Sequence, residues 1–206
     1  LTVATRFART LVSAAVLAAL AGCSRPAGGP AASGSDAALD PARPLPSPLP
    51  DVVARVNGQP IRIYQILPMA KAELDRVSVA QRDEKGPEIV RRALQKYIDR
   101  ELLLQEALAR GIEADSAAVE WDYDQLRREH PDEGAWRDFL AKQGMDPQSF
   151  RAELRAQHTV VALVEQEVNK ALAGGTDPAV RRQKQAEVEQ ALVARLRAKA
   201  RIELFL

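Results

Sequence analysis

Four carboxylates, Glu101, Glu106, Asp122 and Asp124, and two histidines, His130 and His158, are the side chains whose types could do acid–base or nucleophilic chemistry. Acid–base work needs two groups whose surroundings push their pKa values apart, and a nucleophile needs a base within hydrogen-bond reach. The carboxylates instead recur at helical spacing among Arg and Lys, the pattern of solvated helix faces laced with ion pairs. His130 precedes Pro131 in a loop-like stretch and His158 lies mid-helix, neither beside a Ser, Cys or Asp arrangement. Cys23 is the only cysteine, so no intramolecular disulfide can form, and two distant histidines make a poor metal site. Gly28-Gly29 and Gly174-Gly175 lack the strand-to-helix setting of a phosphate loop. The expectation is therefore no catalytic residue, no metal, no cofactor and no nucleotide.

Composition says what kind of scaffold carries these residues. Hydrophobic residues make up 46% of the 206 and lean on Ala, Leu and Val, while aromatics are only 4%, which favours helices over a β-rich core. A formal net charge of +1 gives no electrostatic footprint for nucleic acid, which is not expected as a partner.

The front of the chain predicts export rather than fold. Arg6 and Arg9 precede an apolar run from Leu11 to Ala21, too short for the roughly 20 residues that span a bilayer but suited to a signal-peptide core. The run ends in Leu20-Ala21-Gly22-Cys23, which resembles the bacterial lipobox. That resemblance implies a lipoprotein signal peptide over 1–22 and a lipidated Cys23 as membrane anchor. Ser24 after the cysteine, where aspartate would imply inner-membrane retention, implies an outer-membrane anchor facing the periplasm. Residues 23–50 are rich in Pro, Gly, Ala and Ser without hydrophobic period, and read as a tether that Pro44, Pro46, Pro48 and Pro50 stiffen toward extended polyproline geometry. The fold is expected over 51–206, as 51–173 plus a closing helix and strand at 178–206.

Within it, "VVARVNGQPIRI" (52–63) reads as a hairpin about Asn57-Gly58, both tolerant of positive φ. Strict pairing sets Ala54 opposite Ile61 and Val52 opposite Ile63. Helices are expected at about 64–80 with Pro68 in the opening turn, from Pro87 to a stop at Gly111, from Asp115-Ser116 to Glu129, over "AWRDFLAKQG" to Gly144, from Asp146-Pro147 to Ala173, and from Pro178 to Ala200. On the second of these, Val90, Leu94, Tyr97, Ile98, Leu104 and Leu108 share the apolar face. In "ARIELFL", Ile202, Leu204 and Leu206 alternate with polar neighbours at strand spacing, and so short a strand needs the hairpin as partner. The fold class is mainly α: six helices with a small antiparallel sheet joining the N-terminal hairpin to the C-terminal strand.

Val56-Asn57-Gly58 followed by Ile61, then "ALQKYIDRELLLQEALARGI" (93–112), resembles the N-terminal chaperone domain of the periplasmic survival factor A family, which parvulin-type foldase lipoproteins share. "MDPQSFRAELR" (145–155) and "LRAKARIEL" (196–204) resemble later signatures of that family. Members with isomerase activity insert one or two domains of about a hundred residues between the fifth and last helices. Here that place holds "AGGTDP", and Met69 and Met145 are the only methionines. The resemblance implies a chaperone module without isomerase activity. It holds unfolded envelope or secreted proteins as a lipid-anchored holdase; the alternative is a dedicated interaction subunit of an export or envelope-assembly complex. Trp121, Tyr123, Trp136, Phe139 and Phe150, five of the nine aromatics, fall within 121–150 and are the candidate client-binding residues. Acids crowd residues 113–133 and bases residues 181–201, either attracting one another within the fold or forming opposed rims of a cradle.

Overall fold

The computed structural model describes residues 45–172 and 177–206. The expected signal peptide, Cys23, the tether as far as residue 44 and the Gly174-Gly175 junction lie outside the described residues. The order of elements is β1 (Val52–Val56), β2 (Gln59–Arg62), α1 (Ile63–Leu74), one 3-10 turn (Val79–Gln81), α2 (Arg82–Ala109), α3 (Ser116–Arg128), α4 (Glu133–Lys142), α5 (Pro147–Ala171), α6 (Pro178–Arg197) and β3 (Ile202–Leu204). This is the expected mainly helical class, with six α-helices among the described residues.

The sheet runs β2-β1-β3, with β1 central and antiparallel to both neighbours. Asn57 and Gly58 turn the hairpin with φ of 52° and 88°. Ala54 faces Ile61 as expected, but Val52 faces Arg62 rather than Ile63, because a bulge interrupts the register between Val52 and Ala54. The extra residue lets Val53 and Ala54 both be buried, which strict alternation forbids. Ile63 opens α1 instead of extending β2, and its N–H donates to the Asp51 carbonyl at 2.8 Å. β3 closes the sheet where the sequence places it: Leu204 pairs with Ala54 and Ile202 with Val56, and Leu206 is buried just beyond.

Helix boundaries follow their caps more than their prolines. The expected 64–80 helix stops at Leu74, and only the 3-10 turn follows before α2. Pro68 sits inside α1 and Pro87 inside α2, which begins five residues earlier at Arg82. Asp115, Asp132, Asp146 and Asp177 each cap a helix by accepting a backbone N–H two or three residues on. Gly111 (φ 67°) ends α2: its N–H reaches the Leu108 carbonyl and that of Ile112 the Ala107 carbonyl, with Ile112 buried against Ala107. On α2 the buried stripe passes through Leu102, Leu103 and Ala107, whereas Leu104 is half-buried and Leu108 is exposed.

Three apolar cores result. The first joins the sheet's inner face to α1 and α2 through Val53, Ala54, Ile66, Leu94 and Ile98. The second joins the end of α2 to α5 and α6 through Leu103, Ala107, Leu163 and Leu192. The third lies among α3, α4 and the start of α5. Leu45 and Leu49, which composition assigns to the tether, pack against the first core, and the segment bends at Ser47 and Pro48 instead of running straight.

Candidate functional site

The two stretches that carry the family resemblance meet in space. The Asn57 side chain donates from Nδ2 to Gln105 Oε1 at 2.8 Å and accepts from the Arg201 backbone N–H through Oδ1 at 2.9 Å. Its own N–H donates to the Arg201 carbonyl at 2.8 Å. Gln105 Nε2 in turn donates to the Val56 carbonyl at 3.1 Å and to Glu101 Oε1 at 2.8 Å. One asparagine thus fastens the hairpin turn to α2 and to the start of β3. Farther along, Arg197 on α6 donates to Asp99 on α2 at 2.5 Å. Gln65 braces α1, accepting from the Arg62 N–H at 2.7 Å and donating to the Tyr97 hydroxyl at 2.8 Å. Burial pushes the Tyr97 phenol up to about 12, with the Glu153 charge adding to the shift. Burial also acts to raise Glu73, but Lys96 at 2.7 Å and Arg92 at 2.9 Å outweigh it and hold the carboxyl below its ordinary value.

The aromatic residues singled out from the sequence divide. Tyr123, Trp136, Phe139 and Phe150 come together in the third core. Trp136 lies 5.5 Å edge-on from Tyr123, stacks on Phe139 at 5.4 Å and meets Phe150 edge-on at 5.6 Å. His130 completes the group at 4.6 Å from Phe139. Arg151 lies over the Tyr123 ring at 3.5 Å and donates to Glu120 at 3.0 Å. Trp136 is 1% exposed and Tyr123 7%, so both are structural anchors of the lobe, and Phe139 and Phe150 are its half-buried margin. Trp121 points away from that core, 43% exposed on α3. Other exposed apolar side chains are Tyr64 and Leu67, one helical turn apart on α1, with Val79, Leu108, Val180 and Phe205.

Sequence reading did not anticipate that His158 Nε2 meets Asp122 Oδ2 at 2.7 Å, joining α5 to α3 across 36 residues of chain. A histidine held by a carboxylate is two parts of a catalytic triad. The third part would be a hydroxyl or thiol on the imidazole, and no such contact exists among the described residues; the adjacent Thr159 hydroxyl donates to the Arg155 carbonyl. Of the remaining candidate carboxylates, Glu101 accepts from Gln105 and Glu106 from Arg110 at 2.8 Å each, while Asp124 is exposed on α3. No group of three or more potential ligands is placed to hold a metal among the described residues. An open depression of about 710 Å³ lies over the outer sheet face, lined by Arg55, Arg62, Arg201, Val52 and Pro60, but Glu203 and Asp51 already pair with those arginines.

The two charged segments are partly engaged within the fold, with no ion pair between them among the described residues. Asp115 and Asp132 are caps, and Glu120, Asp122 and Glu133 are paired; Lys184, Arg197 and Arg201 each hold a carboxylate. Among the described residues no helix is long and apolar enough to cross a membrane.

Comparison with known proteins places this geometry. The model of the SurA-like N-terminal domain matches residues 31–164, from ahead of the sheet into the second half of α5. α6 and β3 fall beyond the matched span, although β3 pairs directly with β1. No curated protein matches the chain.

Proposed function

The chain belongs to the SurA-like N-terminal domain family, and from that premise we propose that it is a holdase. It binds unfolded envelope or secreted polypeptides weakly and without sequence demand, and keeps them from aggregating. The family match across residues 31–164 is the observation that carries this reading. Support comes from exposed apolar side chains, Tyr64 and Leu67 on α1 and Trp121 on α3. Contiguous apolar surface marks a binding site more than single side chains do, and Tyr64 and Leu67 adjoin on α1. Phe139 and Phe150, at the margin of the aromatic lobe, add contacts where a client reaches it.

In this proposal the protein is not an enzyme, and it uses neither nucleotide nor metal. It is exported and anchored through a lipid on Cys23 to the outer membrane, facing the periplasm. Two acyl chains, each stabilised by about 0.8 kcal/mol per buried methylene, are enough for durable attachment. Site-specific photocrosslinking in cells from Trp121 and Leu67 tests the binding reading. Many different adducts are expected, whereas one stoichiometric adduct would replace the holdase by a dedicated subunit of an assembly complex. A standard proline-isomerisation assay is expected to show no catalysis. Metabolic labelling with tritiated palmitate is expected to mark the native chain and not Cys23→Ser.

A further inference from the structure

The segment Leu45–Pro50 reaches the fold before the first strand and is held there unusually. Leu45 and Leu49 are half-buried against the first core, while Pro46, Ser47 and Pro48 between them are exposed. No hydrogen bond holds any of residues 45–50, in contrast to β1 immediately after, which is paired on both edges. Pro46, Pro48 and Pro50 have no N–H to offer, so the surface beneath places no demand on backbone donors. Beneath it lies the first core, in which Val53, Ile66, Leu94 and Ile98 join the sheet to α1 and α2, and the two leucines pack against that core.

We infer that this strap occupies a further client-binding surface of the domain, beside the exposed side chains already named, as an internal competitor that incoming polypeptide displaces. The inference rests on the holdase reading and names the class of client: extended chain with two aliphatic side chains a few positions apart, proline tolerated between them. Among the described residues the strap is attached through these two side chains and no backbone hydrogen bond, so an unfolded segment that supplies equivalent side chains exchanges with it. Because the strap is covalently linked to the domain, its effective concentration is high, and it sets a threshold against weak or brief visitors. If the strap covers the surface nine-tenths of the time, its release raises apparent client affinity about ten-fold.

The test uses a fluorescent peptide of residues 44–51, "PLPSPLPD", titrated into the full chain and into its Leu45→Ser/Leu49→Ser variant, with binding read by anisotropy. The expected result is binding about ten-fold tighter to the variant, and none by a peptide in which both leucines are serine. A variant with native circular dichroism that binds the peptide no tighter than the parent overturns the inference. Should the double variant lose its fold, the unaltered chain decides: saturable, leucine-dependent binding at millimolar peptide sustains the inference, and its absence overturns it. Suppression of aggregation, measured alongside, separates the two claims. Equal suppression by parent and variant, without peptide competition, removes the strap as competitor but leaves the holdase. Tighter peptide binding with no suppression by either protein keeps the strap's site and removes the holdase.

Discussion

Replacing Asn57 by alanine removes three supports of the sheet at one position. The residue sits at φ 52°, in the left-handed region that asparagine tolerates and alanine resists by roughly 1 kcal/mol. Its side chain also gives up the bond to Gln105 Oε1 at 2.8 Å and the one accepted from the Arg201 N–H at 2.9 Å. Both bonds are solvent-exposed, so water replaces part of each, and about 0.5 kcal/mol apiece is the appropriate end of the usual range. The sum is about 2 kcal/mol, which for a domain of this size lowers the melting temperature by roughly 4–8 °C. Asn57→Gly separates the terms, because it keeps the backbone freedom and loses only the side-chain bonds, for about half the cost. Urea unfolding followed by far-UV circular dichroism measures both variants against the parent. If Asn57→Ala stays within the error of the parent, or Asn57→Gly costs nothing, the claim that this residue joins hairpin, α2 and β3 is wrong.

Tyr97 supplies a pH test. A phenol raised from 10 to about 12 in the fold contributes stability that is complete below pH 10 and is lost as pH rises through the folded value, roughly 2–3 kcal/mol in all. Tyr97→Phe is therefore expected to be less stable than the parent near pH 8, where Gln65 loses its acceptor, and more stable near pH 11.5; parallel curves would exclude the buried neutral phenol. Truncation after Gly175 removes α6 and β3, opens one edge of β1, uncovers Leu103 and Leu163 and breaks the Arg197–Asp99 pair. Loss of cooperative unfolding is expected, and a soluble, cooperatively melting truncation would make the C-terminal region an appendage. Trp136→Ala is expected to cost about 3–5 kcal/mol by emptying the centre of the aromatic lobe. Trp121→Ala changes stability by no more than about 0.5 kcal/mol but weakens client capture; the reverse pattern would exchange their assigned roles.

The local chemistry of turns and caps was legible in the sequence. Asn57-Gly58, Gly111, Gly144 and the caps Asp115, Asp146 and Asp177 each act through their own backbone geometry, and each does in the structure what its residue type implies. The Asp132 cap, which starts α4 at Glu133, lay instead in a stretch expected to be a break. The pairing of β3 with β1 was also legible, because a short alternating segment has no other strand to join. The bulge at Val52–Ala54 was not, since it arises where Ile63 leaves the ladder to start α1 and strand alternation must yield. Pro87 misplaced the start of α2, and Pro68 lies deeper in α1 than the opening turn: each removes one N–H, but packing of α1 on α2 carries the helix through. Leu108 fits the apolar spacing yet is exposed, because a 28-residue helix offers several apolar faces and only the neighbours α5 and α6 select Leu103 and Ala107. At the candidate site the sequence grouped five aromatics, but only three-dimensional packing turns Trp136 inward and Trp121 outward. The His158–Asp122 and Asn57–Gln105 contacts join residues 36 and 48 apart and leave no local trace.

The most direct test of the account is light scattering from a urea-denatured outer-membrane protein diluted into buffer, with and without this chain lacking residues 1–23. With the chain at several-fold excess, aggregation is expected to be slowed in proportion to the chain added, and Trp121→Ala to be less effective. Scattering that is unchanged at every excess, from protein with native circular dichroism, would contradict the holdase claim.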